Sequence, residues 1–121
     1  MMNPADAPMG AGERVIGTLV ECAPEFADRD YAPYPLTIVM DEFASFVRDQ
    51  AKAGASEGQL KVYFDWVETL ARRDERDTNN LVEVCFLEGI PWGELHVKHL
   101  MGPATLALAR RNPGNMDPRI L

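Results

Sequence analysis

The sequence predicts an all-α protein, either a compact bundle or a short helical-hairpin stack of five to six helices. Apolar residues recur at three- and four-residue spacing along most of the chain, which is the period of one helix face. No segment alternates as a half-buried strand does, and no βαβ pattern appears. The connections between the predicted helices are short, which favours antiparallel neighbours.

Length and composition indicate one domain. The 121 residues are 46% hydrophobic, which suffices for one core and excludes a chain that is disordered throughout. The net charge of −7 excludes sequence-independent nucleic-acid binding, which needs dense Lys and Arg. We expect a flexible lead-in at residues 1–12, one helical domain at 13–111 and an irregular tail at 112–121.

The compartment is predicted from three features. Residues 1–12 contain no Lys or Arg, so we expect no signal peptide. No apolar run approaches the ~20 residues that a membrane span needs. Cys22 and Cys85 both fall on apolar helix faces, as buried thiols in a reducing compartment do. A cytoplasmic protein is therefore expected, with one disulfide as the alternative for the cysteines.

The first helix is predicted from about Gly12 to the region of Pro24. Proline lacks an amide proton and clashes with the preceding turn, so the helix ends or kinks there. Alternatively, Pro24 opens a short second piece that reaches Ala27. Residues 28–35 (DRDYAPYP) are predicted to form a loop, because each proline keeps the residue before it out of the helical region.

Start and stop signals bound the second and third helices. The second runs from about Leu36 or Thr37 to Ala53, and the glycine that follows provides a C-terminal cap. The third begins at Ser56, and Gln59 three positions later predicts a capping box. A full apolar stripe continues through the third helix: Leu60, Tyr63, Phe64, Val67, Leu70 and Ala71.

A fourth helix is predicted for residues 81–87 (LVEVCFL), with Asp77 or Thr78 as its cap and Gly89 as its end. This run is apolar nearly all round, so its period alone fits either a buried strand or a buried helix. The helical caps and the lack of any second strand to pair with favour a central helix.

Two further helices complete the predicted domain. Pro91 opens a fifth helix that is expected to run to Met101, and Gly102 ends it. Pro103 then opens a sixth helix that reaches Arg111.

The first candidate for chemistry is a metal site at His96, His99 and Glu88. Histidines three residues apart share one helix face, but a metal site needs three or four converging ligands. The zinc-protease pattern, with histidines four apart, is absent. The sequence therefore favours no cofactor and two ordinary histidines, with a small metal-binding protein or enzyme as the alternative.

Catalysis by other groups has little support in the sequence. Glu88 ends the most apolar helix, where partial burial would raise its pKa, but the sequence favours a structural role in which it accepts hydrogen bonds from a following loop amide or an Arg. No Gly-x-Ser-x-Gly motif is present, and no activating signature flanks Cys22 or Cys85. The sequence favours a non-catalytic protein and leaves enzyme activity open.

The acidity is concentrated in the first half of the chain. Residues 1–60 carry a net charge of −6, and residues 61–121 carry −1. Acidic residues there flank a Tyr/Pro loop, and such a surface suits a basic protein partner. The candidate docking residues are Glu21, Glu25, Asp28, Asp30, Tyr31 and Tyr34. The alternative is a solvated acidic face that confers only solubility.

Two motifs resemble those of a family of small bacterial helical domains without an assigned function. They are Asn80-Leu81-Val82 with Phe86-Leu87-Glu88, and Leu100-Met101-Gly102-Pro103. The resemblance covers residues 41–110 and implies an all-α fold and a bacterial origin. It carries over no catalytic residue. By looser analogy, small acidic bacterial proteins of this kind are similar to immunity proteins that neutralise a toxin.

Self-association is the third functional hypothesis. Apolar surface around Trp66 and Trp92 is predicted to form the seam of a homodimer, which would make the chain a structural bundle.

Overall fold

A computed structural model describes residues 11–28, 34–90, 95 and 97–111, with side chains from Val15 onward and, in the first segment, up to Phe26. No strand occurs in these residues, so the all-α prediction is confirmed. None of the described helices combines the length and the hydropathy that a membrane crossing requires. The α-helices are α1 (Ala11–Cys22), α2 (Leu36–Lys52), α3 (Glu57–Arg72), α4 (Arg76–Asn80) and α5 (Pro103–Arg111).

The first helix ends at Cys22, and a separate 3-10 turn, Pro24–Asp28, follows it. The predicted short second piece is therefore confirmed. Proline supplies the fixed backbone angle that begins the new turn and has no amide proton to leave unsatisfied there.

The boundaries of α2 and α3 agree with their sequence signals. Gly54 has a φ of +89°, the left-handed conformation that a glycine adopts after a helix end. The Ser56 side chain accepts a 3.2 Å hydrogen bond from the Gln59 amide, as predicted. The reciprocal hydrogen bond, from the Ser56 amide to Gln59 Oε1, does not form, and the Gln59 side chain pairs with Tyr63 instead, its Nε2 donating to Oη at 3.0 Å.

The predicted fourth helix exists but is not a regular α-helix. It begins as α4, and neither Asp77 nor Thr78 caps it, since the N-cap is Glu75. Residues Leu81–Phe86 then wind as a π-helix, and Leu87–Gly89 tighten into a 3-10 turn. The π-helix packs mainly against α2, and all of its apolar side chains except Val84 are buried. It is therefore the central segment that its composition predicts.

The prediction of one continuous fifth helix is wrong. Leu95 is helical, but Val97 leaves the helical region with φ −108° and ψ 9°, and Lys98–Leu100 form a 3-10 turn. A 3-10 turn aligns residues three apart, and Val97 and Leu100 are both buried. Burial of this pair outweighs continuation of the α-helix. Residues 91–94 and 96 lie outside the described residues.

Phe43 of α2 is the centre of the core. Its ring lies 5.2 Å from Trp66 of α3, 5.4 Å from Phe26 and 5.9 Å from Phe86 of the π-helix, measured between centroids. Edge-to-face and offset aromatic pairs of this kind add stability beyond the apolar area they bury. The cluster fixes α2, α3, the π-helix and the 3-10 turn after α1 relative to one another.

Candidate functional site

The most buried charged side chain among the described residues is Glu68 of α3, which is 4% exposed. Its Oε1 accepts hydrogen bonds of 2.8 Å from both the amide and the hydroxyl of Thr105. Its Oε2 accepts from the Ala104 amide at 3.0 Å and from Arg72 Nε at 3.2 Å. A carboxylate has about four lone-pair sites, so its hydrogen-bonding capacity is filled.

These bonds make Glu68 the N-terminal cap of α5. Gly102 is the residue before α5, and its carbonyl accepts the first helical hydrogen bond from Leu106. Glycine has no side chain to cap the next amides, and Pro103 has no amide to cap. The amides of Ala104 and Thr105, which a Ser or Asp cap would serve, bond to Glu68 instead.

The pKa of Glu68 is lowered from its ordinary value. Burial acts to raise it, but the hydrogen bonds from the Thr105 and Ala104 amides, the Thr105 hydroxyl and Arg72 outweigh that effect. Glu68 therefore stays ionised near neutral pH and acts as a structural anion, since a catalytic acid needs the opposite shift.

The sequence interpretation selected a different carboxylate. Glu88 is exposed, so the predicted partial burial at the end of the apolar helix is wrong. The 3-10 turn at Leu87–Gly89 directs it to solvent. A signal for Glu68 was available, because it continues the buried helical stripe four residues after Phe64. An acidic residue in such a stripe indicates a buried partner.

The structure does not bring the candidate metal ligands together. His99 pairs with Glu57, at the start of α3, and both side chains are exposed. Glu88 is exposed on another element, and His96 lies outside the described residues. Within the described segments, no group of three or more His, Cys, Asp or Glu side chains is arranged to hold a metal ion.

The predicted docking surface falls partly within the described residues. Glu21 and Glu25 are exposed, and Tyr34 is 46% exposed. The Asp28 side chain and residues 30 and 31, which include Asp30 and Tyr31, lie outside the described residues.

The structure adds residues of α3 to this surface. Cys22 Sγ donates to the Val62 carbonyl at 3.6 Å, and the Val62 side chain is 48% exposed. The pKa of Cys22 is raised to about 11, first by burial and then by the negative charges of Glu25 and Asp65. Both carboxylates therefore act on the same thiol. We call Glu21, Glu25, Val62 and Asp65 the acidic docking surface, after the role that the sequence analysis predicts for Glu21 and Glu25.

Neither cysteine is activated as a nucleophile. At a pKa near 11, Cys22 is almost entirely a neutral thiol at pH 7. Burial also raises the pKa of Cys85, with contributions from Asp41 and Glu88. Both thiols are free, so no disulfide joins Cys22 and Cys85, and the alternative prediction is wrong.

Trp66 does not form an exposed seam for a homodimer. It is 6% exposed, and its Nε1 donates to Thr18 Oγ1 of α1 at 2.9 Å. The indole thus holds α1 against α3 within one chain. Trp92, the other residue of the predicted seam, lies outside the described residues.

A polar cleft of about 560 Å³ lies where α4 and the π-helix approach the C-terminal end of α5. Asp74, just after α3, has a φ of +48°, which is unusual for a residue other than glycine. The sequence predicted only a helix cap at Asp77 in this region. The cleft is lined by Asp74, Arg76, Asp77, Asn79, Asn80, Glu83 and Arg111.

Comparison with known proteins gives one match. The model of a domain of unknown function (DUF7674) matches residues 14–113, which include all of α2, α3 and α5. No curated protein and no solved structure matches the chain. The matched range contains the cap by Glu68, the polar cleft and the acidic docking surface. Because the match spans most of its length, this chain belongs to the DUF7674 family.

Proposed function

We propose that this chain is a non-catalytic, bacterial, cytoplasmic protein-binding module that docks a basic protein partner on its acidic docking surface. An immunity-type inhibitor that neutralises a basic toxin is the specific form of this proposal. The observation that carries it is the convergence of Glu25 and Asp65 on Cys22, beside the exposed Val62.

The composition of this surface fits a docking role. Protein interfaces commonly have an apolar centre and a polar rim. Val62 supplies exposed apolar area, and Glu21, Glu25 and Asp65 are exposed acidic residues on the chain segments that meet at the Cys22–Val62 hydrogen bond. A partner that presents Lys or Arg around an apolar contact would complement both features.

The negative charge of the acidic docking surface is only partly neutralised by a basic residue of the same chain. Lys61 Nζ contacts both carboxylate oxygens of Asp65, at 2.8 and 2.9 Å. That pair is exposed and four residues apart on one helix, so it is weak and exchanges readily with a partner's cation.

The chemistry of the other candidate groups supports a non-catalytic role. The pKa values of both cysteines are raised, which opposes nucleophilic attack. The buried carboxylate of Glu68 is fully engaged in capping α5. Free thiols also suit the reducing cytoplasm that we propose.

Affinity capture from the native host, with paired charge reversals, tests this function. Wild-type protein is expected to retain a basic partner that the double variant Glu25→Lys/Asp65→Lys loses. The matched control is Asp41→Lys/Asp49→Lys, which makes the same charge change at exposed positions of α2. It is expected to retain the partner.

Two kinetic measurements sharpen the outcome. The association rate of the captured partner should fall as salt concentration rises, because complementary charges steer the encounter. Val62→Ala should raise the dissociation rate, since it removes apolar contact area. Equal loss of the partner in both double variants would contradict the proposal that the partner docks on this surface. Retention of the partner by Glu25→Lys/Asp65→Lys would contradict it as well.

A further inference from the structure

The polar cleft contains two buried acceptor atoms that lack a hydrogen-bond partner among the described residues. They are Asn79 Oδ1 and Glu83 Oε1. A buried polar atom without a partner costs stability, so native proteins rarely keep one without a reason. Here two such atoms lie on residues that line the same cleft, four positions apart on one continuous helical segment.

The orientation of the Asn79 side-chain amide is set by its hydrogen bond to Asp74. Asn79 Nδ2 donates to Asp74 Oδ1 at 3.1 Å. Exchanging the nitrogen and oxygen of this amide would place an acceptor against a carboxylate. Oδ1 is therefore the end of the side chain that lacks a partner, and as a buried acceptor it needs a donor.

The backbone around these acceptors departs from regular geometry on both sides. Asp74 adopts a left-handed conformation, and Glu83 lies within the π-helix Leu81–Phe86. Strained residues and π-turns are found often at functional sites. In this protein they place an amide oxygen and a carboxylate oxygen at one polar cleft.

The ligand that completes this cleft is a donor with positive charge. Both orphan atoms are acceptors, and one belongs to a carboxylate. The lining holds three carboxylates and two guanidinium groups, which leaves one negative charge in excess. A metal ion is a poorer fit, because no metal-binding group of three side chains occurs in the described residues.

We propose that the polar cleft binds a guanidinium group, with Asn79 Oδ1 and Glu83 Oε1 accepting its N–H donors. A guanidinium presents five donors in a planar fork, so one group can reach two acceptors on successive helix turns. It is also more weakly hydrated than an ammonium, which lowers the cost of transfer to buried oxygens. This site is independent of the acidic docking surface, which uses α1 and the middle of α3.

Ethylguanidinium is the simplest probe, followed by chemical-shift titration of the backbone amides. We expect saturable shifts at residues 74–83 and 111, with a Kd on the order of 1 mM for so small a ligand. Ethylammonium should bind more weakly at the same residues. Shifts that do not saturate, or that are spread over all acidic surfaces, would overturn the proposal.

Two variants separate the site from general charge attraction. Glu83→Gln is expected to weaken ethylguanidinium binding by about tenfold or more, because it removes a charge-assisted hydrogen bond. Glu88→Gln removes the same charge five residues away, outside the cleft, and should leave binding within about twofold. Equal weakening by both variants, or none by Glu83→Gln, contradicts the site.

The source of the guanidinium is distinguished by two further probes. Free arginine carries a carboxylate that would meet Arg76 or Arg111 across the cleft, whereas N-acetylarginine amide presents the side chain as a protein does. Tighter binding of free arginine supports a small-molecule ligand, and tighter binding of the amide supports an arginine side chain. Failure of both, like failure of ethylguanidinium, would overturn the proposal and leave the docking of a basic partner on α1 and α3 unaffected.

Discussion

The carboxylate of Glu68 occupies the space that a β-carbon at Gly102 would fill. Residue 102 therefore cannot carry its own capping side chain, and the acidic residue on α3 caps α5 in its place. The glycine and the buried glutamate are one structural unit. This relationship gives a physical reason for the Gly-Pro junction that the family resemblance contains.

Gly102→Ala is expected to destabilise the protein by about 1–3 kcal/mol, because the new methyl group overlaps Glu68. The cost should fall by at least half in a Glu68→Ala background, where the overlapping atoms are gone. Urea denaturation of the four proteins in this cycle measures the coupling. Gly58→Ala is the control, since the nearest atom to its β-carbon is Ser56 Oγ at 4.0 Å. Additive effects at the two positions would show that they are not coupled.

Glu68 also predicts a pH dependence of stability. Its pKa is lower in the folded protein than its ordinary value of 4.5, so its contribution is complete above that pH and is lost as pH falls through the folded pKa. Glu68→Gln should cost about 1.5–3 kcal/mol at pH 7. The difference from wild type should shrink as the pH falls below 4.5. Urea denaturation between pH 7 and pH 3 measures this, with Glu88→Gln at an exposed position as the matched control.

The acidic docking surface predicts the titration of Cys22. Glu25→Gln and Asp65→Asn should each lower the pKa of this thiol from about 11, because each removes a nearby negative charge. The pKa should stay above 9.0, since burial is the larger cause. The pH dependence of alkylation, measured in a Cys85→Ala background, reports one thiol alone. Asp49→Asn on α2 should leave it unchanged, and an equal shift there would refute the placement of Glu25 and Asp65.

The hydrogen bond from Trp66 to Thr18 predicts how α1 is held to α3. Thr18→Val keeps the shape of the side chain but leaves the buried indole N–H without its acceptor, at a cost of about 1–3 kcal/mol. Thr18→Ser restores an acceptor and should recover most of the stability. Unfolding followed by tryptophan fluorescence measures both variants. No loss of stability in Thr18→Val would contradict the role of the hydrogen bond, and destabilisation by Thr18→Ser alone would assign the effect to the methyl group instead.

The fold class and most helix ends could be predicted because their signals are local. Ser56 caps α3 through an amide three residues away, and Gly54 ends α2 with its own left-handed backbone. Pro24 and Pro103 begin helical segments because their ring geometry is fixed before any packing occurs. Each of these features acts within one turn of the residue that causes it.

Regular winding was less predictable because it depends on what the turn must bury. The composition of residues 81–87 predicts a buried helical segment, but the π-helix forms where this segment packs on α2. Val97 leaves the predicted fifth helix because it is buried in a 3-10 turn with Leu100. The spacing of apolar residues is interpreted with one helix type in mind, so it does not distinguish an α-helix from a π-helix or a 3-10 turn.

The sequence by itself determined an all-α chain, its acidic first half and most helix boundaries, since composition, periodicity and caps are properties of neighbouring residues. Only the tertiary structure decided which carboxylate is buried, because Glu68 meets Thr105 across 37 residues of chain. It also brought Glu25 and Asp65 within electrostatic reach of Cys22 and assembled the polar cleft that Asn79 and Glu83 line. The environment of a charged side chain determines its function. That environment is set by groups that are far apart in the sequence and that come together only when the chain packs.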